Sequence, residues 1–123
     1  MGIRKCNCQS SGSFTNADQT ENLNFSICSS CGLDQSSLTF SINTPGFANF
    51  GFVAETFDFP VCGEGTLNVS GTGLATGQDI FGDVSGPASF TFSITPISSE
   101  LVMTFSNGRT FSAGVSGFTV STC

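Results

Sequence analysis

The chain has no Trp, no Tyr and no His, and its cations number three: Arg4, Lys5 and Arg109. Without His it lacks the side chain that most often acts as a general base near neutral pH. One Lys and two Arg leave little to activate a nucleophile or hold an oxyanion. The chain is therefore not expected to be an enzyme, and no catalytic, cofactor or metal residues are assigned. Three cations against nine Asp and Glu make no basic patch for a phosphate backbone, so nucleic acid is not an expected partner. Apolar runs are short, and none approaches the roughly 18 residues of a membrane-crossing helix, so no membrane partner is expected. Met1 to Lys5 leads into polar residues instead of an apolar stretch, so no classical signal peptide is expected. The Asn-x-Ser triplets at Asn24 and Asn68 then have no glycosylation meaning.

What is abundant is Phe, at fourteen residues, with fifteen Gly and many Ser and Thr. Such a chain of 123 residues is long enough for one core and too short for two. From Leu23 the pattern has period two: Leu23, Phe25, Ile27; Leu38, Phe40, Ile42; Phe90, Phe92, Ile94; Leu101, Met103, Phe105; Phe118, Val120. That is the signature of half-buried antiparallel strands. Phe57, Phe59 and Val61 share one face in this reading, with Asp58 and Cys62 on the other, and Gly71 to Gln78 reads as a Gly/Thr loop. Eight to ten strands separated by Gly, Pro and Asn turns predict an all-β, single-domain, jelly-roll-like antiparallel β-sandwich over residues 22–123. The hairpin at Ser106-Asn107-Gly108-Arg109 has two possible loops. A two-residue loop sets Phe111 opposite Thr104, on the polar face. A three-residue loop, with Gly108 left-handed in a bulge, sets it opposite Met103 and is preferred.

Residues 1–21 are polar and aperiodic, and predict a flexible connector arm that cannot bury enough surface to form a core. Residues 1–20 carry Arg4, Lys5 and Asp18, for about +1, and the rest of the chain, Glu21 included, is near −7. The arm also holds Cys6 and Cys8, some fifteen residues ahead of the first expected strand. Extended, such a segment spans roughly 50 Å, enough to reach an adjoining subunit.

The six cysteines, Cys6, Cys8, Cys28, Cys31, Cys62 and Cys123, admit several readings. Cys28, Cys62 and Cys123 fall opposite the apolar face of their strands, which suits bonds across the surface. Cys6, Cys8, Cys28 and Cys31 have the count for a four-thiolate zinc site, although the first pair is closely spaced. Cys28-x-x-Cys31 lacks the helix terminus or cation that would lower a thiol pKa for redox work. Disulfides within the chain are the plain expectation for an even number, and bonds from the arm to other copies compete with them. Glu55 with Asp58 and Asp79 with Asp83 are the nearest carboxylate pairs. Only the second has oxygens placed for calcium, without the acidic density of a dedicated loop.

A leaderless start, Cys6-Asn7-Cys8 on an arm, Cys28 and Cys31 after the first body strand, and Cys123 closing the last together resemble the subunits of disulfide-linked appendage fibres on endospores of Bacillus-like bacteria. The resemblance implies a jelly-roll structural subunit, released by mother-cell lysis and polymerised with itself at the spore surface or another extracellular surface. It further implies intermolecular disulfides in which Cys6 and Cys8 bond to Cys123 and to Cys28 or Cys31 of other copies; Cys62 has no counterpart. The alternative is a monomeric or ring-forming binding module, lectin-like or a phage decoration protein, with cysteines paired internally. The missing Trp and Tyr count against stacking on sugar rings.

Overall fold

A computed structural model describes residues 8–16, 20–28, 36–44, 46–58, 61–63 and 65–122, with backbone only at 28, 121 and 122. The alternating stretches form β1 (Cys8–Thr15), β2 (Glu21–Cys28), β3 (Ser37–Thr44), β4 (Ala48–Phe57), β5 (Val61–Cys62) and β6 (Leu67–Asp79). They continue as β7 (Gly82–Asp83), β8 (Gly86–Ile94), β9 (Ser98–Phe105), β10 (Thr110–Ser116) and β11 (Ser121–Thr122). No helix occurs among the described residues, and none is long and apolar enough to cross a membrane.

All strands join one antiparallel sheet in the order β10-β9-β8-β6-β4-β3-β2-β1-β11, with β5 and β7 paired to β6. Neighbours in sequence are thus neighbours in space, until the 117–120 segment carries the chain across to set β11 beside β1. The sheet rolls on itself into a single-domain sandwich close to a closed barrel, and Phe side chains fill its interior. Phe25 of β2 meets Phe92 of β8 at 4.9 Å, and Phe50 of β4 meets Phe105 of β9 at 5.3 Å, both edge to face. These contacts combine large buried area with the favoured ring geometry and need no polar partner.

After Leu67 and Val69 the inward positions of β6 are small, Gly71, Gly73 and Ala75, because its neighbours' rings lie over the glycines. A Cβ on Gly71 would come within 2.9 Å of the Phe90 ring, and one on Gly73 within 2.7 Å of the Phe52 ring. Those glycines are why Gly71 to Gln78 reads as a loop in the sequence. It is in fact the longest strand, paired on both sides by β4 and β8.

The hairpin between β9 and β10 takes the three-residue loop. Phe105 N–H donates to the Arg109 carbonyl at 2.8 Å, Gly108 has φ 88°, and Phe111 pairs with Met103.

The connector arm expected over 1–21 is corrected over residues 8–15. There β1 is zipped to β2 from Gln9–Cys28 to Thr15–Asn22. Its inward residues are Cys8, Ser10, Gly12 and Phe14, a set with no apolar period to read. Ser10 is satisfied by donating its hydroxyl to the Thr119 carbonyl at 2.8 Å. Gly12 leaves room for Phe118, whose ring stands 4.8 Å from that of Phe25.

Candidate functional site

The strand directions give the molecule two unlike ends. One gathers the start of β1, the end of β2, β5 and the turn between β8 and β9. Cys8, Cys28 and Cys62 lie there, and it is called the cysteine end. The opposite, turn end gathers the connections around Gly46, Ile80 and Asn107.

At the cysteine end Cys8, 2% exposed, is bonded to Cys62 of the same chain, with Cα atoms 5.9 Å apart. The expected bond from Cys8 to another copy is therefore corrected, as is the outward placement of Cys62. β5 is separated from β4 by Pro60, and its alternation restarts: Val61 pairs with exposed Asn68, and Cys62 with fully buried Leu67. Cys62 thus turns inward and packs on the core. Oxidised Cys8 is also no thiolate ligand, which removes one member of the four-cysteine zinc set. Cys28 ends β2 opposite Gln9. Cys6, Cys31, Cys123 and the side chain of Cys28 lie outside the described residues. Chain length alone keeps Cys6 within about 7 Å of Cys8, so the 50 Å reach from a late first strand does not apply.

Among the described residues no group of three His, Cys, Asp or Glu is placed to hold a metal ion. The Asp79–Asp83 pair is engaged otherwise. Asp79 accepts the Phe81 N–H at 2.8 Å and the Arg109 Nε–H at 3.0 Å, and Asp83 accepts the Ser85 N–H at 2.9 Å. Burial pushes the Asp79 carboxyl up, but the Phe81 N–H and the Arg109 guanidinium together outweigh it and hold the pKa below its ordinary value. The Ser85 hydroxyl and N–H lower that of Asp83. Glu55 is the extra residue at a bulge between Ala54 and Thr56, and Asp58 accepts from the Ser70 hydroxyl at 3.0 Å. The structure brings neither pair together as a reacting site.

What the sequence does not locate is the pair of sheet edges. β10 pairs with β9 on one side, and among the described residues no strand covers its other side. Because Phe105 and Arg109 form a hydrogen-bonded pair, the ladder bonds of β10 come from Phe111, Ala113 and Val115. The main-chain groups of Thr110, Ser112, Gly114 and Ser116 point away from the sheet. At the other limit of the same sheet β11 covers β1 only at Cys8 and Gln9, so Ser11 to Thr15 present a second open edge among the described residues. Neither edge carries a charge or a proline, the usual guards against strand addition. The signal was present in the sequence as two uncharged strand segments, but their edge position comes only from the strand order.

The outer face holds a shallow cleft of about 360 Å³ where Gly51 interrupts the side-chain cover. Asn22, Asn24, Thr39 and Ser41 line it with Val53 and Leu74, and no lining residue is charged. No family model, no curated protein and no solved structure matches the chain.

Proposed function

We propose that the chain is a structural subunit that polymerises with copies of itself into an extracellular fibre of the spore-appendage kind. The single observation that carries this reading is the two uncharged, proline-free edges at opposite limits of one sheet, open among the described residues. An edge of one copy can extend the sheet of the next, and because the two edges differ, the contact is heterologous and repeats as a ring or a filament. The Ser/Thr-covered exterior and the sparse charge suit a durable surface. Covalent links to neighbours fall to Cys6, Cys28, Cys31 and Cys123, since Cys8 and Cys62 are bound to each other.

Gel electrophoresis with and without reductant, on protein purified with its disulfides intact, tests the covalent part. A ladder that collapses to 12.7 kDa on reduction is expected. A single band in both lanes limits assembly to non-covalent edge pairing.

A second reading is favoured by the Cys8–Cys62 bond, a staple within one chain: a monomeric or ring-forming binding module whose uncharged outer cleft takes a neutral ligand. Size-exclusion chromatography separates the two, since this reading expects a monomer or one closed oligomer at every concentration and the fibre expects growth with concentration.

A further inference from the structure

What can be added to a sheet edge depends on which way each residue there points its main-chain groups and which face carries its side chain. On β10 the two directions coincide. Thr110, Ser112, Gly114 and Ser116 turn N–H and C=O away from β9 and occupy outward positions, while Phe111, Ala113 and Val115 face the core. β1 has the same coincidence. Asn16 N–H donates to the Glu21 carbonyl at 3.2 Å and Asn43 N–H to the Thr20 carbonyl at 2.7 Å, and both place the β1–β2 ladder bonds at Gly12–Phe25 and Phe14–Leu23. Ser11, Ser13 and Thr15 therefore point their main-chain groups away from β2, and all three are exposed.

This coincidence fixes the direction in which the two edges can join. In an antiparallel pair the residues that exchange hydrogen bonds stand opposite each other with their side chains on one face. Outward residues of β10 then meet outward residues of β1, and the core side of the sheet stays inside. A parallel pair sets a residue that bonds through both groups opposite one that points both away, so outward serines would stand level with inward Gly12 and Phe14. The register is fixed as well. β11 fills the space opposite Cys8 and Gln9, so an added strand begins opposite Ser11. Setting Ser116, the last residue of β10, opposite Ser11 brings Gly114 to Ser13 and Ser112 to Thr15, and uses every open position of β1. A slip toward β11 would put Ser116 where Ser121 lies. On the inward side this register sets Val115 against Gly12 and Ala113 against Phe14, a larger residue beside a smaller one each time. The two half-buried rings of the edges, Phe14 and Phe111, then lie on the diagonal.

We infer that β10 of one copy pairs antiparallel with β1 of the next copy, Ser112 opposite Thr15 and Ser116 opposite Ser11. The inference rests on the self-assembly reading above and adds which edges meet, in which direction and in which register. Main-chain hydrogen bonds carry the join, as in other strand additions, so it needs no large apolar patch. β10 runs from the turn end to the cysteine end and β1 runs back, so paired copies stand the same way up. Every cysteine end then lies on one side of the assembly.

The test uses the full chain with free thiols alkylated and two variants, Ser13→Pro, which blocks the β1 edge, and Ser112→Pro, which blocks that of β10. Neither replaced N–H serves a ladder within the subunit, so urea midpoints should match the native chain's; where one falls, Asp at the same position blocks the edge by charge instead. By sedimentation each variant alone should stay monomeric, and an equal mixture should give dimers of one of each. Adding Ser116→Lys to the first variant and Ser11→Glu to the second should tighten the mixed dimer about three-fold at low salt, and not at high salt. Thr15→Glu in place of Ser11→Glu should give no such gain. Dimers of either variant alone show an edge pairing with itself; these, no dimers in the mixture, or an equal gain from Thr15→Glu overturn the inference while the native chain still assembles. A native chain that stays monomeric at all concentrations overturns the self-assembly reading, and this inference with it.

Discussion

Phe118 and Gly12 show how single residues decide this structure. The Phe118 ring occupies the space of a Gly12 side chain, with a Cβ there only 2.6 Å from the ring. Gly12→Val should overpack the site and cost about 1–3 kcal/mol, read as a lower urea midpoint with unchanged slope. Nothing in the sequence pairs these two positions, which is why a polar stretch from Gln9 to Ser13 hides a half-buried strand. Asp79 gives a pH dependence with a definite sign. Its folded pKa lies below its ordinary value of 3.8, so its contribution is complete above the unfolded value and is lost as pH falls through the lowered one. Asp79→Asn should therefore lower the thermal midpoint at pH 7, and the difference should vanish in acid well below 3.8. A difference that persists in acid would mean that packing, and not the charge on Asp79, holds Phe81 and Arg109.

At the scale of elements, β1 depends on a staple. Its inward side offers Cys8, Ser10, Gly12 and Phe14, little apolar area compared with β2 or β8, and the Cys8–Cys62 bond closes a separation of 54 residues. Replacing both cysteines by Ala should cost about 2–4 kcal/mol. In hydrogen exchange the amides of β1 should lose protection before those of β6 or β8. Loss spread evenly over all strands would show that β1 is held by its ladder to β2 alone. The elements were unevenly legible. Clean alternation at Leu38 to Ile42 and Phe90 to Ile94 gave strands in place, and a face requirement at Phe111 chose the right hairpin loop. Alternation failed where glycine stood in for apolar residues, as in β6. It also failed at Val61 and Cys62, beyond the end of β4, because period two carries no memory across a break.

At the scale of the molecule, the strand order matters more than any residue, and it was not legible. Which strands end the sheet follows from how hairpins roll up in three dimensions, so alternation alone does not say which strands are left as edges. Self-assembly turns on β10 accepting a strand from a second copy. Ser112 points its N–H away from β9, so Ser112→Pro removes an edge donor while leaving the ladder within the subunit whole. The most direct measurement is negative-stain microscopy of the native chain beside Ser112→Pro at matched concentration. Rings or filaments from the native chain and single bodies of 12.7 kDa from the variant are predicted. Identical assemblies from both, or isolated native subunits at every concentration, would contradict it.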